Sequence, residues 1–381
     1  MIEIKETTIN DIKDVQRLWA DGDVMSFVGF PDGLHQTDED MQDWFRWIDS
    51  NRPVINHYSV FEDGVYCGES FYEIDKDHGN SAALDIKLFG FARGRGIATN
   101  ALSYTIEEAF RNGAESVWVD PVPDNTKAIA LYDRLGFKKE KMPEHLISEG
   151  EEPVSIYMEI RKKNMLNREL IEKTEAFLKQ KFDSAVYLNS NPEAKAYRIE
   201  HTYRVANIGR EIARKEGFDE TEMVIACLLH DISYCEDFGE NGWIEHGRRA
   251  AQIARPFLYE LGLAEDRIQD ICYGIAIHVD EKADFDGEKT PFALTVNAAD
   301  NIDRFDVYRI HEALSKDGFL DMGIDQKIEY CKKRLARLHN LMKEPLGTKT
   351  ADKMWQERLS FYILFYEKLV RQFECSAHVL D

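Results

Sequence analysis

Four histidines and two aspartates in the second half of the chain have side chains that could bind a metal ion. They are His201, His230, Asp231, His246, His278 and Asp300. A single histidine on a helix is most often a buried structural residue, so no member of the set is informative alone. As a set, imidazoles and carboxylates without a thiolate suit a divalent ion of the Fe, Mn or Zn type. Such an ion would act as a Lewis acid.

The local sequence favours a buried position for these side chains. The pair His230–Asp231 closes the apolar helical run MVIACLLHD, where a carboxylate is costly to bury unless it has a partner such as a metal ion. All four histidines adjoin apolar helical patterns, so they can converge on one interior cleft. Nearby arginines could bind phosphate groups, although each alone is better explained as a surface residue. These arginines are Arg204, Arg248, Arg249 and Arg304.

A second candidate site lies in the first half of the chain, between a predicted strand and a predicted helix. Glycines there would let the backbone approach a ligand closely, and a helix N-terminus offers unpaired N–H groups, which together can hold a pyrophosphate. An ordinary strand-to-helix turn with solvated arginines is the alternative. The segment comprises Arg93, Gly94, Arg95, Gly96, Ile97, Ala98 and Thr99.

A further motif follows in the segment DNTKAIALYDRLGFK, residues 124–138. Asn125, Ala128, Tyr132, Gly136 and Phe137 have the spacing N-x-x-A-x-x-x-Y-x-x-x-G-F. The tyrosine could donate a proton in catalysis or simply pack in the core on an amphipathic helix.

Bulk composition excludes several classes of protein. The chain has 381 residues, which favours two domains, and its net charge of −22 disfavours nucleic acid and anionic membranes as partners. Six scattered cysteines without a C-x-x-C pair indicate buried free thiols. The charged N-terminus is not a signal peptide, and no apolar run reaches membrane-spanning length. We expect a soluble, cytoplasmic protein.

The two halves of the chain differ in their patterns. Residues 1–162 alternate helical segments with strand-like runs, and Asp63–Gly64 is predicted to be a hairpin turn. From residue 163 to residue 381 amphipathic helices follow one another, and we place a short polar linker at RKKNMLNRE. The sequence predicts an α+β domain followed by an all-α domain. The runs predicted to be strands are IEIKE, INHYSVFED, VYCGESFYEI, AALDIKLFG, SVWVDPV and PVSIYMEI.

Residues 1–160 resemble the GNAT family of N-acetyltransferases. The resemblance lies in R-x-x-G-x-A at Arg93, Gly96 and Ala98, followed by the asparagine–tyrosine–GF helix. It implies a mixed central sheet flanked by helices, with the backbone of residues 93–99 binding the pyrophosphate of acetyl-CoA. It also implies that Asn125 contacts the pantetheine arm or shapes the split between strands, and that Tyr132 protonates the leaving thiolate. No general base is identified, although the predicted strands carry Asp85 and Glu73.

Residues 195–310 resemble the HD-domain phosphohydrolases, which implies an all-α helical bundle. The signature H…HD…D falls on His201, His230, Asp231 and Asp300. The additional His246 and His278 resemble the subgroup that carries two metals, and their order is similar to that in bacterial diadenosine-tetraphosphate hydrolases.

The second resemblance implies a dinuclear centre in which Asp231 bridges both ions and is catalytic. His201, His230 and Asp300 would complete one position, and His246 and His278 the other. A bridging water would attack phosphorus in a nucleotide-like ester or anhydride.

Two functions remain open at this point. The first is a bifunctional enzyme with small-molecule substrates, an amine acceptor and a phosphorylated compound, with homodimer formation possible. The alternative is a sensor or regulatory protein in which one domain binds acetyl-CoA or a nucleotide without turnover. A mere scaffold would explain neither cluster of residues.

Overall fold

The chain divides into two compact units in a computed structural model that describes residues 1–147, 153–237 and 242–377. The units are Met1–Leu166 and Asn167–Asp381, and each contains its own apolar cores. The segment RKKNMLNRE forms the end of a strand and the start of the helix Lys162–Ser184, rather than an irregular linker. It holds good helix formers and neither glycine nor proline, so nothing in it interrupts a helix.

The first unit is built around a seven-stranded mixed sheet, in agreement with the predicted α+β fold. Its order is β1-β2-β3-β4-β5-β7-β6, and only the pair β4–β5 is parallel. The strands are β1 (Ile2–Glu6), β2 (Ile55–Glu62), β3 (Val65–Asp75), β4 (Ser81–Leu88), β5 (Ser116–Val119), β6 (Lys138–Lys139) and β7 (Met158–Arg161).

The structure can be compared with two predicted features of this sheet, a hairpin turn and the length of a strand. Asp63 and Gly64 both have positive φ, 50° and 81°. A two-residue turn of this kind matches the twist of the strands in a β-hairpin, as predicted. The predicted strand PVSIYMEI is shorter than expected, because β5 has only four residues and pairs with β7 over Met158–Arg161.

The parallel strands β4 and β5 pair over three residues only. Ser81–Ala83 lie opposite Ser116–Trp118, and beyond Ala83 the strand β4 continues to Leu88 without pairing with β5. We call the space where the two strands stop pairing the β4–β5 gap. Residues that follow Ala83 and Trp118 therefore lie at its edges.

Among the residues that the structure describes, five helices accompany this sheet. Buried residues of the fourth recur every three or four positions, which gives it one apolar face packed in the main core of the unit. The first and third helices contribute Val15, Leu18 and Met41 to a second apolar cluster. The helices are α1 (Ile12–Trp19), α2 (Gly22–Met25), α3 (Asp38–Asn51), α4 (Ile97–Arg111) and α5 (Thr126–Leu135).

The second unit is helical over the residues that the structure describes, which confirms the predicted all-α fold. Short 3-10 turns lie at Ile232–Cys235 and Gly242–Glu245. The helices are α6 (Lys162–Ser184), α7 (Val186–Asn189), α8 (Pro192–Glu216), α9 (Glu220–Leu229), α10 (His246–Glu260), α11 (Glu265–Ile277), α12 (Pro291–Arg304), α13 (Val307–Lys316), α14 (Ile324–Leu341) and α15 (Lys349–Ala377).

Helix α9 determines where the candidate metal ligands lie. Every residue from Met223 to Leu229 is buried, so the helix is apolar all round and runs through the core of the unit. It begins at the side-chain cap of Asp219 and ends at His230. His230 and the next residue, Asp231, therefore lie deep inside the second unit.

No helix among the described residues is long and apolar enough to cross a membrane.

Candidate functional site

The six predicted metal ligands converge in one buried cluster of the second unit. Each of the six residues is at most 9% exposed, and His230 is fully buried. Ligand-type atoms of His201, His230 and Asp300 lie within 4.8 Å of one another, and so do those of His230, Asp231 and His278. We call this cluster the histidine–aspartate centre.

Five elements supply these side chains. His201 lies within α8, His230 follows α9, His246 begins α10, His278 follows α11, and Asp300 lies within α12. Three of the four histidines thus stand at helix ends, where the backbone changes direction and a side chain can be turned toward a neighbouring helix.

Asp231 occupies the middle of the histidine–aspartate centre, and its two oxygens face different histidines. Oδ1 lies 3.2 Å from Nε2 of His246 and 3.6 Å from Nε2 of His278. Oδ2 lies 3.7 Å from Nε2 of His201 and 3.6 Å from Nε2 of His230. A carboxylate placed in this way can serve two ligand groups at once.

The nitrogen atoms of the centre fit a bound cation. Each imidazole has Nδ1 hydrogen-bonded to an oxygen outside the set, so Nδ1 carries the hydrogen and Nε2 offers its lone pair to the centre. Nε2 of His230 is buried and has no hydrogen-bond partner among the described residues. Nε2 of His246 and Nε2 of His278 are 3.0 Å apart, a distance at which either one nitrogen carries a proton and donates to the other or both lone pairs face a bound cation.

Burial and charge set the protonation of the centre. Burial lowers the pKa of His230 to about 4, which keeps it neutral as a metal ligand must be. Burial also disfavours a charged His201, but the carboxylates of Asp300 and Asp303 outweigh it and raise its pKa to about 9, so this imidazole must release a proton from Nε2 when it binds a metal ion. The surrounding histidines lower the pKa of Asp231 and of Asp300 despite the cost of burying both carboxylates.

The four arginines suggested as phosphate contacts are all paired with carboxylates. Only one of these carboxylates belongs to the predicted ligands, and the guanidinium that faces it lies 3.7 Å away and is half exposed. The pairs are Arg204–Asp303, Arg248–Asp280, Arg249–Glu236 and Arg304–Asp300.

Sequence reasoning missed the arginine that reaches the centre most directly. Nη1 of Arg198 donates to Oδ2 of Asp231 at 2.8 Å, and its guanidinium carbon lies 3.4 Å from the ring centroid of Tyr234. The spacing R-x-x-H, which places Arg198 one helical turn before His201, was a usable signal.

Reasoning from the sequence also missed Asp303. It is 1% exposed, lies one turn after Asp300 on α12, and contacts His201 and Arg204. The spacing of the two aspartates indicated a shared helix face, but not which histidine they would meet.

In the first unit, the glycine-containing turn before α4 has the backbone shape that a pyrophosphate site needs. Gly94 and Gly96 have φ of 77° and 80°, and a Cβ built on either would meet open space. Among the described residues none accepts a hydrogen bond from the backbone N–H groups of Ile97, Ala98 and Thr99. These donors lie at the N-terminus of a 15-residue helix, where an anion is stabilised.

The arginine side chains of this turn form hydrogen bonds and ion pairs with other residues of the first unit. Nε of Arg93 donates to the carbonyl of Leu88 at 3.0 Å, and Arg95 pairs with Glu62 at 2.6 Å. The backbone, rather than these guanidinium groups, is therefore the part of the turn available to a ligand.

Tyr132 lies within α5, and Asn125 immediately precedes this helix. Tyr132 is buried against Phe137, and burial, with Asp85 and Asp120, raises its pKa, so the phenol stays protonated at neutral pH. Asn125 caps the helix, because its side chain accepts a hydrogen bond from the backbone N–H of Ala128 at 3.2 Å.

Two carboxylates flank the β4–β5 gap. Asp85 and Asp120 stand two residues beyond the paired Ala83 and Trp118, so alternation along each chain segment places them on the same face. Asp120 is an exposed residue, but partial desolvation of its carboxylate and the nearby Asp85 raise its pKa, against the effect of a hydrogen bond from Ser155. Sequence reasoning named Asp85 but missed Asp120.

Glu73, the other carboxylate considered as a base, lies elsewhere. It is an exposed residue of β3 that pairs with Ala83, before the gap opens. It therefore does not flank the β4–β5 gap.

A third group of possible ligands lies on the surface of the first unit, namely Asp75, His78 and His145. The two imidazole rings stack with centroids 3.8 Å apart and planes 2° apart. A metal ion binds imidazole in the plane of the ring, so two parallel rings cannot both point their lone pairs at one ion. We therefore assign no metal site there.

Comparison with known families identifies two domains in the order predicted. Residues 2–138 match the family described as acetyltransferase (GNAT) domain, and residues 198–304 match the HD domain family. These matches support an enzyme with both acetyltransferase and HD-type metal-dependent hydrolase activity. No curated protein matches the chain.

Several solved acetyltransferases are similar to part of the chain. A GNAT-family acetyltransferase from Streptococcus pneumoniae is 19% identical over 42% of this chain and 99% of its own, with a TM-score of 0.37. Spermidine N-acetyltransferase from Vibrio cholerae, in complex with CoA and spermine, is 18% identical over 43% and 98%, with a TM-score of 0.37. Ribosomal-protein-alanine N-acetyltransferase from Brucella melitensis is 19% identical over 42% and 99%, with a TM-score of 0.34.

Proposed function

We propose that residues 163–381 form a phosphohydrolase with a dinuclear metal centre, acting on a nucleotide-like phosphate ester or anhydride. Residues 1–162 form an acetyl-CoA-dependent N-acetyltransferase that acts on an amine. The observation that carries the proposal is the placement of Asp231, whose two oxygens face two separate pairs of histidine Nε2 atoms.

The residues of the histidine–aspartate centre divide into two ligand groups that share Asp231. One group is His201, His230 and Asp300, whose ligand-type atoms lie within 4.8 Å of one another. The other is His246 and His278, whose Nε2 atoms are 3.0 Å apart. Bound divalent ions would supply Lewis acidity and an acidified water as nucleophile. The buried helix ends around them exclude other solvent and fix the direction of each imidazole.

Arg198 supplies the positive charge that an acidic protein needs to bind an anionic substrate. Its guanidinium is held against Tyr234 and Asp231 at the edge of the centre, and a guanidinium has five N–H donors in a planar fork. The bond to Asp231 uses one of these donors, and the donors that remain could bind phosphoryl oxygens.

Hydrolysis by the full-length chain tests this half of the proposal. The protein is loaded with Mn²⁺ or Fe²⁺ and assayed with nucleotides, dinucleoside polyphosphates and a generic phosphoester. Activity should be present and should be lost in His230→Ala, whereas the exposed His339→Ala should retain it. Absence of turnover with every metal and substrate would contradict the proposal.

For acetyl transfer, the backbone N–H groups at the start of α4 would bind the pyrophosphate of acetyl-CoA. The acceptor amine would lose its proton to Asp120, whose pKa is raised above its ordinary value by partial desolvation and by Asp85. As the new N–C bond forms and the C–S bond breaks, Tyr132 would donate its phenolic proton to the departing thiolate. The phenol is protonated at neutral pH, so it holds the proton that this role requires.

Release of free CoA from acetyl-CoA in the presence of amines tests the second half. Polyamines, aminoglycosides and peptides with a free N-terminus cover three classes of acceptor. Tyr132→Phe and Asp120→Asn should slow amine-dependent CoA release, whereas the exposed Asp133→Asn should not. If no amine stimulates release above the rate of hydrolysis, N-acetyl transfer is the wrong activity.

A further inference from the structure

The four histidines of the centre differ in what holds their Nδ1 atoms. Three of them donate Nδ1–H to a neutral backbone carbonyl three residues earlier in the chain. His201 alone faces a carboxylate, with Oδ2 of Asp303 at 2.7 Å. The three carbonyl pairs are His230–Cys227, His246–Trp243 and His278–Ile275.

The imidazole of His201 lies between two carboxylates of one helix. Its Nε2 is 3.2 Å from Oδ1 of Asp300, and its Nδ1 is 2.7 Å from Oδ2 of Asp303. The two aspartates are three residues apart on α12, so one helical turn brings both onto the face that meets α8. One carboxylate is thus placed on the ligand side of the ring and the other on the opposite side.

Asp303 is itself fixed in place by Arg204. Nε of Arg204 donates to Oδ1 at 2.6 Å, and Nη2 lies 3.3 Å from Oδ2. Arg204 and His201 are three residues apart on α8, so both partners of Asp303 come from the same face of that helix. The carboxylate is buried and cannot turn away without leaving two polar groups unpaired.

We propose that Asp303 is a positioning residue that sets the metal affinity of the His201 position and makes the two metal positions unequal. The inference rests on the proposed dinuclear centre. An anionic acceptor fixes the Nδ1–H tautomer and increases electron density at Nε2 more than a neutral carbonyl does. The ion bound by His201, His230 and Asp300 therefore depends on Asp303, and the ion bound by His246 and His278 does not.

Asp303→Asn separates charge from shape, because the amide oxygen can still accept the hydrogen bond from His201. The metal-free full-length protein is titrated with Mn²⁺ against a competing chelator, which measures affinity without any assay of activity. Wild-type protein should bind two ions. Asp303→Asn should weaken one of them by about 10- to 100-fold and change the other by less than about twofold.

Two further variants assign the affected position. His246→Ala removes a ligand of the other position, and Asp303→Asn added to it should weaken the remaining ion by the same factor. Asp303→Glu, which keeps the negative charge, should recover most of the lost affinity, which a purely structural role would not require. The matched control is the exposed Asp321→Asn, which should bind both ions as the wild type does.

Three results would overturn the inference. They are equal weakening of both ions, no weakening of either, or an effect that persists in Asp303→Glu as strongly as in Asp303→Asn. Absence of metal from the wild-type protein is a different result, because it would contradict the proposed centre itself. Thermal unfolding of each metal-free variant shows whether the fold is retained, and if Asp303→Asn does not fold, Asp303→Glu compared with Arg204→Lys decides the question by the same titration.

Discussion

Arg198 and Asp231 form a partly buried ion pair, with Nη1 of the guanidinium 2.8 Å from Oδ2 of the carboxylate. The pair lies on the side of Asp231 that faces His201 and His230, and the guanidinium also stacks on Tyr234. A positive charge is therefore held in the centre that is proposed to bind phosphate, within a chain of net charge −22.

The first prediction concerns this arginine. Arg198→Gln should lower kcat/KM for phosphate substrates by about 10- to 100-fold, because a charge-assisted bidentate contact contributes about 1.5–3 kcal/mol. Arg249→Gln, which removes an exposed arginine paired with Glu236, should change it by less than about twofold. Bound metal, measured by elemental analysis, should stay the same in both variants. A loss of metal in Arg198→Gln would show that the residue supports the ligands instead.

The second prediction concerns the turn before α4. Alanine at Gly96, where φ is 80°, should cost about 1–2 kcal/mol of folding free energy and should also weaken CoA binding, since its Cβ would enter the space in front of the N–H groups. Gly79→Ala is the matched control, because Gly79 has φ of 73° and open space but lies in the β3–β4 turn. Calorimetric titration with CoA should separate the two variants, and equal affinities would argue against the turn as the binding site.

The third prediction concerns the pH dependence of acetyl transfer. Because Asp120 must be ionised to accept a proton and its pKa is raised, kcat/KM should rise with pH through that pKa. In Asp120→Asn this rise of kcat/KM with pH, the acidic limb of the pH profile, should disappear. In Tyr132→Phe the limb should remain while kcat falls by about 100-fold, with KM for acetyl-CoA within about twofold of the wild-type value. A wild-type limb that survives unchanged in Asp120→Asn would assign the base to another group.

The fourth prediction concerns a buried carboxylate of the first unit. Burial raises the pKa of Glu69, but Lys87 and His57 outweigh it and bring the value to about 2. The ordinary value of 4.5 applies to the unfolded chain, so the carboxylate stabilises the fold above pH 4.5 and loses that effect as the pH falls toward 2.

The lowered pKa of Glu69 corresponds to a contribution of about 3 kcal/mol to the free energy of unfolding at neutral pH. About 2 kcal/mol of this contribution should be lost by pH 3. Urea unfolding followed by tryptophan fluorescence measures the free energy of unfolding across this range. Glu69→Gln should be less stable at neutral pH and should lack this part of the acid dependence. Parallel curves for the two proteins would contradict the assigned pKa.

Much of the fold follows from local sequence. The hairpin at Asp63–Gly64 and the helix end at Gly136 could be predicted, since each requires a positive φ that these residues tolerate. The segment at Lys162 was less predictable, because polar residues with good helix propensity suit both a linker and the first turns of a helix.

The candidate ligands of the centre could be selected from the sequence, whereas the residues that support them could not. Candidate metal ligands are recognisable by residue type, as the pair His230–Asp231 is at the end of an apolar helix. Asp303 meets His201 across 102 positions of the chain, and only the packing of α12 on α8 brings them together. Asp120 was missed for a related reason, since its position near Asp85 depends on where β4 and β5 stop pairing.

A count of bound metal ions tests the central claim most directly. The full-length protein, loaded with Mn²⁺ and freed of excess ion, should contain two ions per chain by elemental analysis. Asp231→Asn and His230→Ala should lose metal, whereas the exposed His339→Ala should keep both ions. A wild-type protein that holds no metal, or one whose metal content is unchanged in Asp231→Asn and His230→Ala, would contradict the dinuclear centre.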